Sequence, residues 1–314
     1  IFITGNITNN QTMSAANTGS LELRGNALQL LSGSSMFLAK NLTINNAAGI
    51  TVNAPLKVDG VLTFTNGIVG VADMANAVVL TNNATVTGMA DASHINGYVV
   101  KEGIGNFTYP TGDGTKYQPI TTNLSANATG MRVKYNASNA GAASFSSAGT
   151  ENTPLVSYNT NEYWEVLPLS NATGTVTVFW DGYKDAYSNA LSQRKVARNV
   201  GIFWYNEGNV ATGTITNGSV TSNNISSWGA FTLGSIGSVL PISWLQVSGT
   251  INNQQKATLN WKVQEANVNS YVLEKSTDGR LFVTIGNVSS LGNGVNSYQF
   301  TDAQTLGAVN YYRI

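Results

Sequence analysis

The feature that most constrains this chain is a repeat of about twenty residues within its first hundred. Ile1-Phe2-Ile3, Leu21-Glu22-Leu23, Leu42-Thr43-Ile44 and Leu62-Thr63-Phe64 recur at offsets of 20, 21 and 20. The match runs past the apolar triplets, since Ile3-Thr4-Gly5-Asn6 aligns with Leu23-Arg24-Gly25-Asn26. It returns as Val78-Val79-Leu80 against Tyr98-Val99-Val100, again 20 apart. Short alternating strands at this period, with Gly and Asn between them, predict a parallel β-helix in which each turn stacks on the last. At about 4.8 Å per rung, five rungs give a rod on the order of 20–25 Å long. Ile3, Leu23, Ile44 and Phe64 would form one inward ladder. Asn is expected at the corners, where it tolerates left-handed backbone and can stack its amides between rungs.

Composition supports an all-β chain. Asn (39) and Gly (32) exceed a fifth of the 314 residues, while charged residues are only 10%. Strong helix formers are few, which excludes a helical bundle or a coiled coil. Sixteen basic residues balance sixteen acidic ones, so no net charge draws the chain to nucleic acid or an anionic membrane. No apolar run approaches the 18 residues of a membrane-spanning helix. Cysteine is absent, which removes disulfides, thiolate metal sites and a Cys nucleophile. The first and last residues fall in apolar strands, from which the polypeptide is expected to continue at both ends.

Texture divides the chain into three. Residues 1–97 hold only three aromatics (Phe2, Phe37 and Phe64) and form the expected β-helix. Residues 98–238 carry longer alternating strands, at 131–135, 162–167, 175–180, 200–205, 212–216 and 228–233, and are expected to form an antiparallel β-sandwich. Gly234-Ser235-Ile236-Gly237-Ser238 reads as the linker to a third domain, 239–314. There, strands begin near Trp244, Ala257, Ser270, Leu281, Ser297 and Val309, and Thr277-Asp278-Gly279-Arg280 marks a tight turn. That spacing predicts an immunoglobulin- or fibronectin-like sandwich.

Three stretches together resemble secreted surface proteins of Bacteroidetes-type bacteria. They are the Asn-rich rungs (Gly5-Asn6-Ile7-Thr8-Asn9-Asn10 and Asn41-Leu42-Thr43-Ile44-Asn45-Asn46), the segment from Asn96-Gly97-Tyr98 to Tyr117-Gln118-Pro119-Ile120, and the third domain. In the third domain, Leu240-Pro241-Ile242-Ser243-Trp244, Tyr271-Val272-Leu273-Glu274-Lys275-Ser276 and Tyr311-Tyr312-Arg313-Ile314 look like a fibronectin type III-like module that precedes a type IX secretion sorting domain. The resemblance implies export to the cell surface or medium, with the secretion machinery and cell-surface components as partners; glycans are a further candidate partner. It also implies a further strand and a sorting domain beyond Ile314.

Candidate chemistry is sparse. His94 is the only histidine, and no Gly-x-Ser-x-Gly elbow accompanies it. It is expected to be a surface or turn residue at the junction of the first two domains. Glu162 and Glu165 flank Trp164, but alternation puts them on opposite faces of a strand, so they would not form a glycosidase pair. Trp164 is expected in the core with both carboxylates in solvent. Glu22, Asp59, Asp73 and Asp91, with Arg24, Lys40 and Lys57, are too scattered for a polysaccharide-lyase site on the β-helix. Asp181-Gly182-Tyr183-Lys184-Asp185 lacks the spacing of a calcium loop, and Asp113 between two glycines reads as turn chemistry. Trp180, Tyr183, Tyr187, Trp204 and Tyr205 are either core or a sugar-stacking platform. The sequence thus predicts a non-catalytic structural or adhesin-like protein with no cofactor or metal. Its alternative is the carbohydrate-binding part of a polysaccharide-degrading enzyme.

Overall fold

A computed structural model describes all residues except 15–18, 126, 142–143, 185–189, 238–242, 266–267, 293 and 305–308. The chain is all-β; among the described residues the helical turns are two 3-10 segments, Met74–Asn76 and Leu191–Gln193. It divides into two compact units, Ile1–Gly237 and Ser238–Ile314.

The first unit begins as a parallel solenoid with three walls. One wall stacks Phe2–Ile3, Ser20–Gly25, Asn41–Asn46, Val61–Asn66 and Thr85–Thr87. The register sets Ile3 beside Leu23, Leu23 beside Ile44 and Ile44 beside Phe64, the ladder expected from the repeat. The second wall stacks Ile7–Thr8, Gln29–Ser32, Ile50–Val52, Val69–Val71 and Ile95–Gly97. The third starts with Phe37–Ala39, Leu56–Val58, Val78–Leu80 and Val99–Glu102. Val78 pairs with Val99 rather than with Tyr98, so the last repeat is 21 residues and not 20.

The corners differ from expectation in one respect. The left-handed positions between solenoid strands are glycines, not asparagines. Gly67 (φ 113°) shows the reason: a Cβ there would lie 2.0 Å from the Asn46 carbonyl oxygen of the rung below. Asn instead receives or donates across rungs, as in Leu30 N–H to Asn6 Oδ1 at 2.9 Å and Val61 N–H to Asn41 Oδ1 at 2.9 Å. These bonds satisfy backbone groups that the bends leave without ladder partners.

The third wall does not end with the solenoid. Val99–Glu102 pairs in parallel with Val78–Leu80 on one edge and antiparallel with Gly130–Asn136 on the other. From there the sheet runs through Tyr163–Pro168, Gly229–Ser235, Arg194–Val200 and Phe203–Asn206 to Ser144–Ser146. A second, antiparallel sheet of Gly105–Tyr109, Ile120–Leu124, Gly174–Trp180, Gly218–Thr221 and Thr212–Gly213 completes a sandwich. The expected boundary at 97/98 therefore falls inside one compact unit, because a single sheet crosses it.

Two strand assignments change. The segment 200–205 is a turn at Gly201-Ile202 joining Arg194–Val200 to Phe203–Asn206. The expected linker begins inside the last sandwich strand, where Ser235 is fully buried. A Cβ on Gly234 would meet Leu155 and Ala197 within 3 Å, so small residues there serve packing and not flexibility. Ser238 lies outside the described residues.

The second unit has two three-stranded antiparallel sheets. One orders Ser243–Ile251, Ala257–Glu265 and Gly294–Thr301; the other orders Val283–Ser289, Ser270–Ser276 and Tyr311–Arg313. Leu259, Trp261, Val263 and Tyr298 from the first pack on Tyr271 and Leu273 from the second. Asp278 makes the expected turn, its Oδ1 accepting from the Arg280 and Leu281 amides at 2.8 and 2.9 Å.

Candidate functional site

The densest group of candidate residues lies where the solenoid's second wall meets the sandwich. His94 stands just before the last strand of that wall and, contrary to expectation, is fully buried. The chain wraps it. Thr111 bridges to Ile95 as a further parallel contact, and the 112–117 loop closes over the ring. Nδ1 lies 3.1 Å from the Ala90 carbonyl oxygen and Nε2 accepts the Gly114 N–H at 3.0 Å. These partners fix a neutral ring with its proton on Nδ1. Burial lowers its pKa from the ordinary 6.5, against the opposing pull of Asp113 and Asp91. Gly112 is obligatory, since a Cβ there would sit 2.6 Å from Nε2.

The 112–117 loop is stitched to both neighbours. Asp113 Oδ1 accepts from the Thr115 and Lys116 amides at 2.9 and 2.8 Å, as its turn role predicts. Its Oδ2 accepts from the Tyr183 hydroxyl at 2.9 Å. Burial opposes ionisation of Asp113, yet these donors together hold its pKa down to about 2. Lys116 reaches back to Asp91 at 2.5 Å. Asp181 Oδ2 accepts from the buried Gln118 side chain at 3.1 Å, and Gln118's carbonyl accepts from Trp164 Nε1 at 3.0 Å. The structure thus brings His94, Asp113 and Tyr183 into one network. Asp185 and Tyr187 lie outside the described residues.

Glu162 and Glu165 point to opposite faces, as alternation requires. Glu162, however, is buried rather than solvated, taking the Tyr135 hydroxyl at 2.8 Å and Asn159 Nδ2 at 3.1 Å. The sequence hides this because Tyr135, its partner, lies on the neighbouring strand. Burial and the Glu162 carboxylate push the Tyr135 hydroxyl pKa well up.

Trp164, Trp180 and Trp204 are core residues. The Arg194 guanidinium stacks 4.6 Å from the Trp180 ring centroid, and Tyr158 stacks on Trp204 at 4.3 Å. Tyr205 is half-buried under Arg198, which forms a buried pair with Glu207 at 2.6 Å. The sequence hides that pair, since Arg198 lies on the strand Arg194–Val200 and Glu207 just past its hairpin partner Phe203–Asn206. It also hides two polar intruders in the solenoid's apolar ladders, Gln29 and Lys101, both buried. Lys101 Nζ donates to the carbonyls of Thr81, Asn82 and Glu102 at 2.7–2.9 Å.

Asn127, Asn171, Ala172, Thr173 and Ser226 line an open pocket of about 310 Å³ formed by sandwich loops. Trp228 donates its indole N–H to the Ala172 carbonyl at 2.9 Å beside it. In the second unit a cleft of about 890 Å³ runs past Lys275 and Asp302, which pair at 2.7 Å. Among the described residues, no group of three His, Asp or Glu side chains is arranged to hold a metal ion. No protein-family model, curated protein or solved structure matches this chain.

Proposed function

We propose that the chain is a structural, adhesin-like surface protein without catalytic activity of its own. The observation that carries this reading is the sheet shared by solenoid and sandwich, which makes a stiff body out of two architectures. The candidate acid–base groups support it: His94, Glu162 and Asp113 each have hydrogen-bond partners that fix local structure. Export by type IX secretion and a fibronectin type III-like second unit rest on the resemblance of the Asn-rich rungs and the 271–280 stretch. The two facing three-stranded sheets suit such a module.

A second reading, non-catalytic carbohydrate binding, draws on the 310 Å³ pocket, whose lining offers amides and hydroxyls without a charged side chain. One assay separates the readings. The purified chain is incubated with a polysaccharide panel and probed on a glycan array. No sugar release and no saturable binding is the expected result; binding lost in Asn171→Ala favours the second reading, and sustained release of sugar ends contradicts both.

A further inference from the structure

The His94 ring bridges two segments of different origin. Nδ1 faces the Ala90 carbonyl in the turn that ends the solenoid wall, while Nε2 takes the amide of Gly114 at the tip of the 112–117 loop. The ring is fully buried, and the Gly114 N–H points at a lone pair that only the neutral ring possesses. The loop carries Asp113, bonded to Tyr183, and Lys116, paired with Asp91. The loop is also held by the Gly112 amide on the Ile95 carbonyl at 3.0 Å, by Asn96 Nδ2 on the Asp113 carbonyl at 3.2 Å and by the Tyr117 amide on Asp91 Oδ1 at 3.2 Å, so the His94 bond governs its Gly114 tip.

We propose that His94 is an acid-released latch: neutral, it holds the tip of the 112–117 loop through the Gly114 amide, and protonation sets two N–H groups against each other and frees that tip. The charged groups around the ring are Asp91, Asp113 and Lys116. Asp91 and Asp113 are both held below the ordinary carboxylate range by their own donors, so they stay ionised while His94 titrates. They attract an imidazolium but cannot restore the Gly114 bond. Because burial lowers the His94 pKa below 6.5, the latch is closed above that pH and opens as acid is added below it.

The test uses the whole chain. Imidazole NMR follows His94 while hydrogen exchange reads protection factors of the 112–117 amides between about pH 7 and pH 4.5. Gly114 protection should fall about tenfold or more with the midpoint of the His94 titration, while the Val69–Val71 amides stay protected. His94→Gln, whose amide oxygen accepts without titrating, should abolish the pH dependence. Unchanged Gly114 protection while His94 gains its proton would overturn the proposal even if the variant fails to fold. An equal pH response in a folded His94→Gln protein would do the same.

Discussion

Val99 and Val133 face each other in antiparallel register, although Val99's other edge pairs in parallel with Val78. The row continues in both directions, from Phe37 through Leu56, Val78 and Val99 to Val133 and Val166. All six are buried. A solenoid end exposes unpaired backbone groups and normally needs a cap. Here an antiparallel strand supplies that cap, and the sandwich core grows from the same apolar row.

The inward ladder carries the solenoid's stability. Ile44 is 1% exposed between Leu23 and Phe64. Ile44→Asp buries an unpaired charge and is expected to cost several kcal/mol, on the order of 3 or more. Its neighbour Thr43 lies on the outward side, so Thr43→Ala should stay within about 0.5 kcal/mol. Denaturant unfolding of both variants measures the contrast.

Asn46 ties three rungs through an internal amide. It donates to the Ala27 carbonyl at 2.8 Å and to Gln29 Oε1 at 3.0 Å, while Gln29 Nε2 donates to the Ile3 and Gly5 carbonyls. Asn46→Ala leaves the buried Gln29 Oε1 and the Ala27 carbonyl without this donor and is expected to destabilise by about 1–3 kcal/mol. A loss of less than a few tenths in thermal or chemical unfolding would contradict the ladder's role.

These two sites mark how much the sequence could tell. Ile44 was legible because the solenoid repeats its apolar residues in register, and a period near twenty has few other structural meanings. Gln29 was not, since it stands beside Ile50 in the second wall and only its three-dimensional partners, Asn46 and the Ile3 and Gly5 carbonyls, justify it. The sandwich strand Arg194–Val200 is hidden for the same reason: Arg194 and Arg198 are buried, and only Trp180, Tyr205 and Glu207, distant in sequence or on the returning strand, account for them. His94 was misplaced because the loop that buries it is twenty residues away in sequence.

Asp113 sets an acid limit. Its folded pKa of about 2 lies below the ordinary 3.8, so the folded state binds fewer protons in that interval. Its contribution is fully present above about pH 4 and is lost as pH falls toward about 2. After solvent screening at the loop this amounts to about 1 kcal/mol. Asp113→Asn should flatten the stability–pH curve in that window, read by urea titrations at stepped pH.

The second unit depends on its own buried pair. Asp302 accepts from Lys275 at 2.7 Å and from the Tyr312 hydroxyl at 2.8 Å. Asp302→Ala strands the Lys275 ammonium in a site that is nearly closed to water, at a cost of about 3–5 kcal/mol. Calorimetry should show this unit's transition lowered.

The most direct test of the account is hydrogen exchange of the full chain under increasing urea, comparing amides of solenoid strands Ile50–Val52 and Val69–Val71 with those of sandwich strand Tyr163–Pro168. If one sheet makes solenoid and sandwich a single cooperative body, the most protected amides in both will share one opening free energy and one urea dependence. Solenoid amides that exchange through a separate, lower-energy opening while Tyr163–Pro168 stays protected would contradict it.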